Sequence, residues 1–116
     1  SSMALKKNPL KLNKLQLRTL ALAQVLAADE KSSTRDEATG DVTLLRLPHA
    51  HGDHVHIGGF VVSARDASGF SNPAVWTALE RKGLSQASDG ISVTLTVDGV
   101  GYDTGLGDRF MSKSDH

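Results

Sequence analysis

Cysteine is absent from this 116-residue chain, and aromatic residues are few: one Trp, one Tyr and three Phe. Without cysteine there is no disulfide, no thiolate zinc site and no cysteine nucleophile. The core must be aliphatic, and a single domain of this length buries roughly two-thirds of its unfolded surface. The lack of cysteine suits a reducing compartment, so the sequence predicts a cytoplasmic protein.

Long hydrophobic segments are also missing. No apolar run approaches the roughly 18 residues that span a bilayer. Lys14 and Arg18 interrupt residues 10–28, where a signal peptide would need a continuous apolar core. The sequence therefore predicts no membrane association, and residues 1–12, which begin Ser-Ser-Met, are interpreted as a cloning remnant and a basic leader.

Motifs of the common enzyme classes are missing too. The chain has no Gly-Lys-Ser/Thr triplet of a Walker A loop and no Gly-x-Ser-x-Gly nucleophile elbow. Asp53 and His54, with Ser63 or Ser68 nearby in sequence, do not amount to a catalytic triad, because such groupings arise by chance in a chain of this size. The sequence favours a binding module over an enzyme.

The charges cancel, with 13 basic and 13 acidic residues, but they are segregated. Residues 1–28 contain five basic residues and no acid, whereas residues 29–41 and 85–116 contain five acids each. A neutral total argues against broad affinity for nucleic acid and still permits a local basic stripe. On a helical wheel that begins early, one edge collects four basic residues: Lys7, Lys11, Lys14 and Arg18.

Two helices are predicted from apolar spacing and terminal signals. The first covers residues 13–28, with Asn13 as its N-cap and Gln16 completing a capping box. The second covers residues 73–82, between an Asn-Pro start and a glycine stop. Short apolar and alternating segments predict the strands, which are residues 42–47, 55–65, 91–97 and 100–103.

These elements predict one α+β domain over residues 13–104, in the order helix, β-hairpin, helix, β-strands. The first two strands are expected to pair as a hairpin across the histidine-rich turn, with a bulge at residues 58–59. Residues 29–41 are predicted to be a mobile loop with no structure of its own, and residues 105–116 a flexible tail.

Three segments resemble winged-helix domains. Pro73-Ala-Val-Trp-Thr-Ala-Leu-Glu-Arg-Lys-Gly-Leu84 resembles a recognition helix and its exit, Leu95-Thr-Val-Asp-Gly99 resembles the Leu-Thr-x-x-Gly that often follows the wing, and residues 12–20 resemble a first helix. The resemblance implies a small winged-helix-like fold that binds DNA. It departs from the family between the two helices, where a hairpin replaces the first helix of the helix-turn-helix.

The candidate nucleic-acid-binding residues follow from this resemblance and from the basic stripe. With Val75, Ala78 and Leu79 facing inward, the outer face of the second helix presents Thr77 and Arg81, beside Glu80. The set is Lys11, Lys14, Arg18, Arg65, Thr77 and Arg81. The alternatives are solvated helix faces, and a protein partner or homodimer along the first helix.

Four of the five histidines lie within eight residues. Imidazole binds zinc, nickel or copper, and strand alternation puts His54 and His56 on one face. The candidate ligands for zinc or another divalent transition metal are His49, His51, Asp53, His54 and His56. The string also resembles the first metal motif of the metallo-β-lactamase superfamily, an assignment we reject because that family needs further downstream ligands and only His116 follows. The alternatives are a polar hairpin tip and a pH-responsive cluster.

Overall fold

The computed structural model describes five segments of the chain, with only the backbone of the last: residues 9–45, 52–57, 59–86, 92–106 and 112–113. The helices are α1 (Lys14–Ala28), α2 (Pro73–Arg81) and α3 (Val97–Gly101), with one 3₁₀ turn at Ser68–Ser71. The strands are β1 (Ser33–Arg35), β2 (Val42–Leu44), β3 (His54–Ile57), β4 (Phe60–Ser63), β5 (Val93–Leu95) and β6 (Ser112–Lys113).

The helix α1 is the centre of the domain. Its start is the predicted capping box, in which the Asn13 side chain accepts from the Gln16 N–H at 2.8 Å and Gln16 Oε1 accepts from the Asn13 N–H at 3.0 Å. Residues 19–23 are buried in succession, so this part of the helix is covered on all sides. Because α1 packs against the other two helices and both sheets, its burial does not favour a homodimer through this helix.

The second helix was predicted to within one residue. The Asn72 side chain accepts from the Ala74 N–H at 3.0 Å, and the helix ends before Gly83. Trp76 lies at its flank and donates from Nε1 to the Phe70 carbonyl at 3.1 Å. Phe70 belongs to the 3₁₀ turn, which is the element that precedes α2 along the chain.

The first sheet has the order β1-β2-β5 and is antiparallel. The prediction of a loop without structure over residues 29–41 is wrong, because residues 33–35 form β1. The connection to β2 is closed by hydrogen bonds from the Asp36 N–H to the Asp41 carbonyl and from the Gly40 N–H to the Asp36 carbonyl, both 2.8 Å. An edge strand pairs through its backbone and can carry polar side chains. Apolar spacing therefore does not detect it.

The second sheet has the order β3-β4-β6 and corrects the predicted hairpin. The strand β2 pairs with β1 and β5 and with no described residue of 55–65; residues 46–47 of the predicted first strand lie outside the described residues. Residues 55–65 contribute to two strands, and Ile57 pairs with Phe60 across a two-residue connection. The bulge predicted at residues 58–59 includes Gly58, which lies outside the described residues. The predicted flexible tail contains β6, which pairs with β4.

The predicted turn and returning strand at residues 98–103 are replaced by α3. Thr96 caps this helix, since its Oγ1 accepts from the Gly99 N–H at 3.1 Å. Gln24 of α1 donates from Nε2 to the carbonyls of Gly99 at 3.0 Å and Tyr102 at 2.8 Å. A side chain from the central helix thus binds the end of α3. This contact cannot be predicted from the local sequence pattern.

The protein is a small α+β domain with an aliphatic core, as the composition predicts. Its largest fully buried residues are Leu20, Leu22, Leu44, Ile57, Leu79, Leu84 and Leu95. Within the part of the chain that the structure describes, no helix has both the length and the apolar character needed to cross a membrane.

One buried hydroxyl yields a stability prediction. Ser85 is 4% exposed, and its Oγ has no hydrogen-bond partner in the described part of the chain. An unsatisfied buried polar group costs about 1–3 kcal/mol, so we expect Ser85→Ala to raise the free energy of unfolding by about 1 kcal/mol. Urea denaturation measures the change.

The matched control is Ser33→Ala, because the Ser33 hydroxyl donates to the Ala27 and Asp29 carbonyls at 3.0 and 2.9 Å. We expect that variant to lose about 1 kcal/mol. A loss in Ser85→Ala equal to that in Ser33→Ala would contradict the prediction.

Candidate functional site

The basic residues of the first helix lie at its N-terminal end. Lys14 and Arg18 are four residues apart and so share a face; Lys14 is exposed and Arg18 half-buried. The first turn contains no acid, although negative charge is what the positive end of a helix dipole favours. The lysine at this end is therefore placed against the electrostatic preference of the helix.

Lys11 is exposed and has a φ of 60°, the one non-glycine residue with positive φ in the described chain. A side chain in the left-handed region costs about 1–2 kcal/mol. Such an outlier at a candidate site is a reason to ask what the residue does. It presents a third basic side chain at the start of α1.

The turn after β4 joins this helix end. Arg18 Nε lies 3.7 Å from Asp66 Oδ1, and Arg65, the residue before Asp66, is exposed. The structure thus brings together Arg18 and the turn that bears Arg65, which are far apart in sequence. An ion pair with about a third of each side chain exposed contributes little stability, on the order of 0–1 kcal/mol. We call the surface formed by Lys11, Lys14, Arg18 and Arg65 the basic surface.

The helix α2 presents the outer face that its sequence predicts. Val75 and Leu79 are buried and Ala78 is half-buried. Thr77, Glu80 and Arg81 are exposed. The helix packs against α1, and the 3₁₀ turn packs against both helices, so the candidate residues of α1 and α2 belong to one packed unit.

The described histidines lie on a strand, as the alternation of the sequence predicts. His54 and His56 alternate along β3 with the buried residues Val55 and Ile57, so both imidazoles are on the outer face of the second sheet. Their ring centroids are 5.0 Å apart with an interplanar angle of 80°. The predicted sharing of one face by these two side chains is confirmed.

The remaining predicted ligands are less closely assembled. Asp53 is fully exposed, and its Oδ1 lies 3.6 Å from His54 Nδ1, within ion-pair distance and beyond a hydrogen bond. His49 and His51 lie outside the described residues. Within the described residues there is no group of three or more side chains suited to hold a metal ion.

Sequence reasoning missed the roles of Ser63 and Asp66, because pairing and packing decide both. Ser63 is directly opposite His54 in the β3-β4 register, and its Oγ accepts from the Asp66 N–H at 3.1 Å. The Asp53–His54 distance is too long for the orienting hydrogen bond of a triad, so the group does not have the geometry of an activated nucleophile.

The turn that follows β4 lies between the two candidate surfaces. Ser63 faces the histidine strand, and Asp66, three residues later, contacts Arg18 of the basic surface. The arrangement offers cationic side chains on one side of this turn and a pair of imidazoles on the other. Neither a protein-family model, nor a curated protein, nor a solved structure matches this chain.

Proposed function

We propose that this protein is a winged-helix-like binding module that contacts nucleic acid through its basic surface. The observation that carries the proposal is the Arg18–Asp66 contact at 3.7 Å, because it brings the turn that bears Arg65 next to α1. In the proposed arrangement α2 occupies the position of a recognition helix. Its likeness to that family is limited to α1 packed on α2, since a 3₁₀ turn precedes α2 and β5 leads into α3.

Phosphate contacts are assigned to the basic surface. Lys11, Lys14 and Arg65 are exposed, and exposed cations bind phosphates by releasing condensed counterions. Arg18 is the exception because Asp66 already neutralises part of its charge. Exchanging that carboxylate for a phosphate costs little, since a partly exposed ion pair is weak.

The outer face of α2 has a different role in this proposal. Glu80 lies beside Arg81 on that face, and an acid opposes close approach of phosphates. Thr77 and Arg81 are therefore assigned to base edges, where hydroxyl and guanidinium groups donate hydrogen bonds.

The test is fluorescence anisotropy with a labelled random duplex DNA at two salt concentrations. We expect binding at low salt that weakens steeply as salt rises, with a slope of roughly 0.9 per phosphate contacted. The double variant Lys14→Ala/Arg65→Ala should bind about tenfold more weakly, and its salt slope should fall by roughly two.

The matched control is Lys31→Ala/Arg35→Ala. Both residues are exposed and lie outside the basic surface, so the control removes the same charge from another place. We expect it to bind within twofold of the parent protein. Absence of binding by the parent at low salt, or an equal loss in both double variants, would overturn the proposal.

A further inference from the structure

We propose that His54 and His56 form a two-imidazole site for a divalent transition metal ion on the outer face of the second sheet. This site is separate from the basic surface and does not depend on nucleic-acid binding. The proposal rests on the position of two side chains on the same face of one strand. It uses none of the residues outside the described part of the chain.

The separation of the two rings matches a shared metal ion. A metal about 2.0–2.1 Å from an imidazole nitrogen lies roughly 3.2 Å from the centroid of that ring. Two centroids 5.0 Å apart then subtend an angle of roughly 100° at the ion, between the square-planar and tetrahedral values. The observed edge-to-face orientation requires only rotation about χ2, which is a soft torsion for histidine.

The backbone beneath the pair is well supported. The Ala64 N–H donates to the Asp53 carbonyl at 2.8 Å, so alternation makes His54–Ser63 and His56–Val61 the non-hydrogen-bonded pairs of the ladder. The buried side chains of Val55 and Ile57 anchor the strand from its other face. The two Cα atoms are therefore held at a fixed spacing, and little order has to be created when a metal binds.

Asp53 is placed to assist without being a ligand. Its carboxylate, 3.6 Å from His54 Nδ1, can approach to accept a hydrogen bond from that nitrogen. Such an outer carboxylate fixes the tautomer and leaves Nε2 as the ligand atom. The remaining coordination positions would be filled by water or by an external ligand.

The donor set determines which ions should bind. Two neutral imidazoles follow the usual order of first-row affinities, with Cu²⁺ above Ni²⁺ and Zn²⁺, and Mn²⁺ weakest. Mg²⁺ and Ca²⁺ prefer oxygen ligands and should not bind here.

The experiment is calorimetric titration of the full chain with Zn²⁺, together with Cu²⁺ titration followed by amide NMR. We expect one-to-one binding of Zn²⁺ and selective broadening by Cu²⁺ of amides in β3 and β4. His54→Ala/His56→Ala should reduce Zn²⁺ affinity at least tenfold, and His49→Ala/His51→Ala should change it less than threefold. Unchanged melting temperatures would confirm that both variants are folded.

The converse results are also informative. An unchanged affinity in the His54/His56 variant, a tenfold loss in the His49/His51 variant, or Cu²⁺ broadening away from β3 and β4 would each overturn the proposal.

Discussion

We expect Gly99→Ala to lower the free energy of unfolding by about 3 kcal/mol, the upper end of the usual cost of overpacking. A Cβ at this position would overlap the Leu84 carbonyl oxygen and lie 2.9 Å from its carbon. That oxygen accepts a hydrogen bond from the Thr96 N–H at 3.1 Å, and the Leu84 N–H donates to the Leu79 carbonyl at 2.9 Å. These two hydrogen bonds fix the position of Leu84. The overlap can therefore be relieved only by moving α3. Urea denaturation followed by Trp76 fluorescence measures the loss.

The control for this substitution is Gly101→Ala in the same short helix. Gly101 is exposed, and a Cβ there would meet nothing within 4 Å. A glycine-to-alanine change at a compatible position stabilises by about 0.4–1 kcal/mol because it restricts the unfolded chain. Equal losses at Gly99 and Gly101 would show that α3 is sensitive to replacement of either glycine, and would contradict the steric explanation.

Gly69→Ala is expected to cost about 2 kcal/mol for a related reason. Its Cβ would overlap Thr19 Oγ1 and lie 3.1 Å from Thr19 Cβ. Thr19 is fully buried, and its hydroxyl donates to the Leu15 carbonyl at 2.8 Å. A buried β-branched side chain in a helix has few other rotamers, so Thr19 cannot easily avoid the added Cβ by changing its rotamer. Thermal or urea denaturation measures the cost.

A double-mutant cycle tests whether the Thr19 contact is the cause. In a Thr19→Ala background the overlapping hydroxyl is gone, although the Cβ of residue 19 remains close. We expect Gly69→Ala to cost at least about 1 kcal/mol less in that background than in the parent protein. The same cost in both backgrounds would refute a specific clash between these two residues.

Both long helices could be predicted because their signals are local. The Asn13–Gln16 capping box and the Asn72-Pro73 start occur within one turn of the helix they begin, and the structure has both. The strands were less predictable because a strand is defined by a partner distant in sequence. β1 pairs through its backbone and carries polar side chains, so it has no apolar pattern to detect.

The candidate site was also predictable only in part from the sequence. The shared face of His54 and His56 follows from strand alternation alone, and the exposed face of α2 follows from helical spacing. The neighbours of these side chains do not follow from local spacing. Ser63 lies opposite His54 because residues 58–59 connect two paired strands, and Asp66 meets Arg18 because the turn after β4 packs near α1.

Composition and short-range pattern were sufficient to specify an aliphatic α+β domain with two capped helices and a segregated charge distribution. The reason is that capping, apolar spacing and side-chain alternation act over a few residues. Tertiary packing alone decided that α1 is the buried centre, that residues 97–101 are helical, and which strands pair. Those outcomes depend on long-range contacts, such as the hydrogen bonds from Gln24 to α3 and the approach of Gly99 to Leu84, whose free energy exists only once distant segments have met.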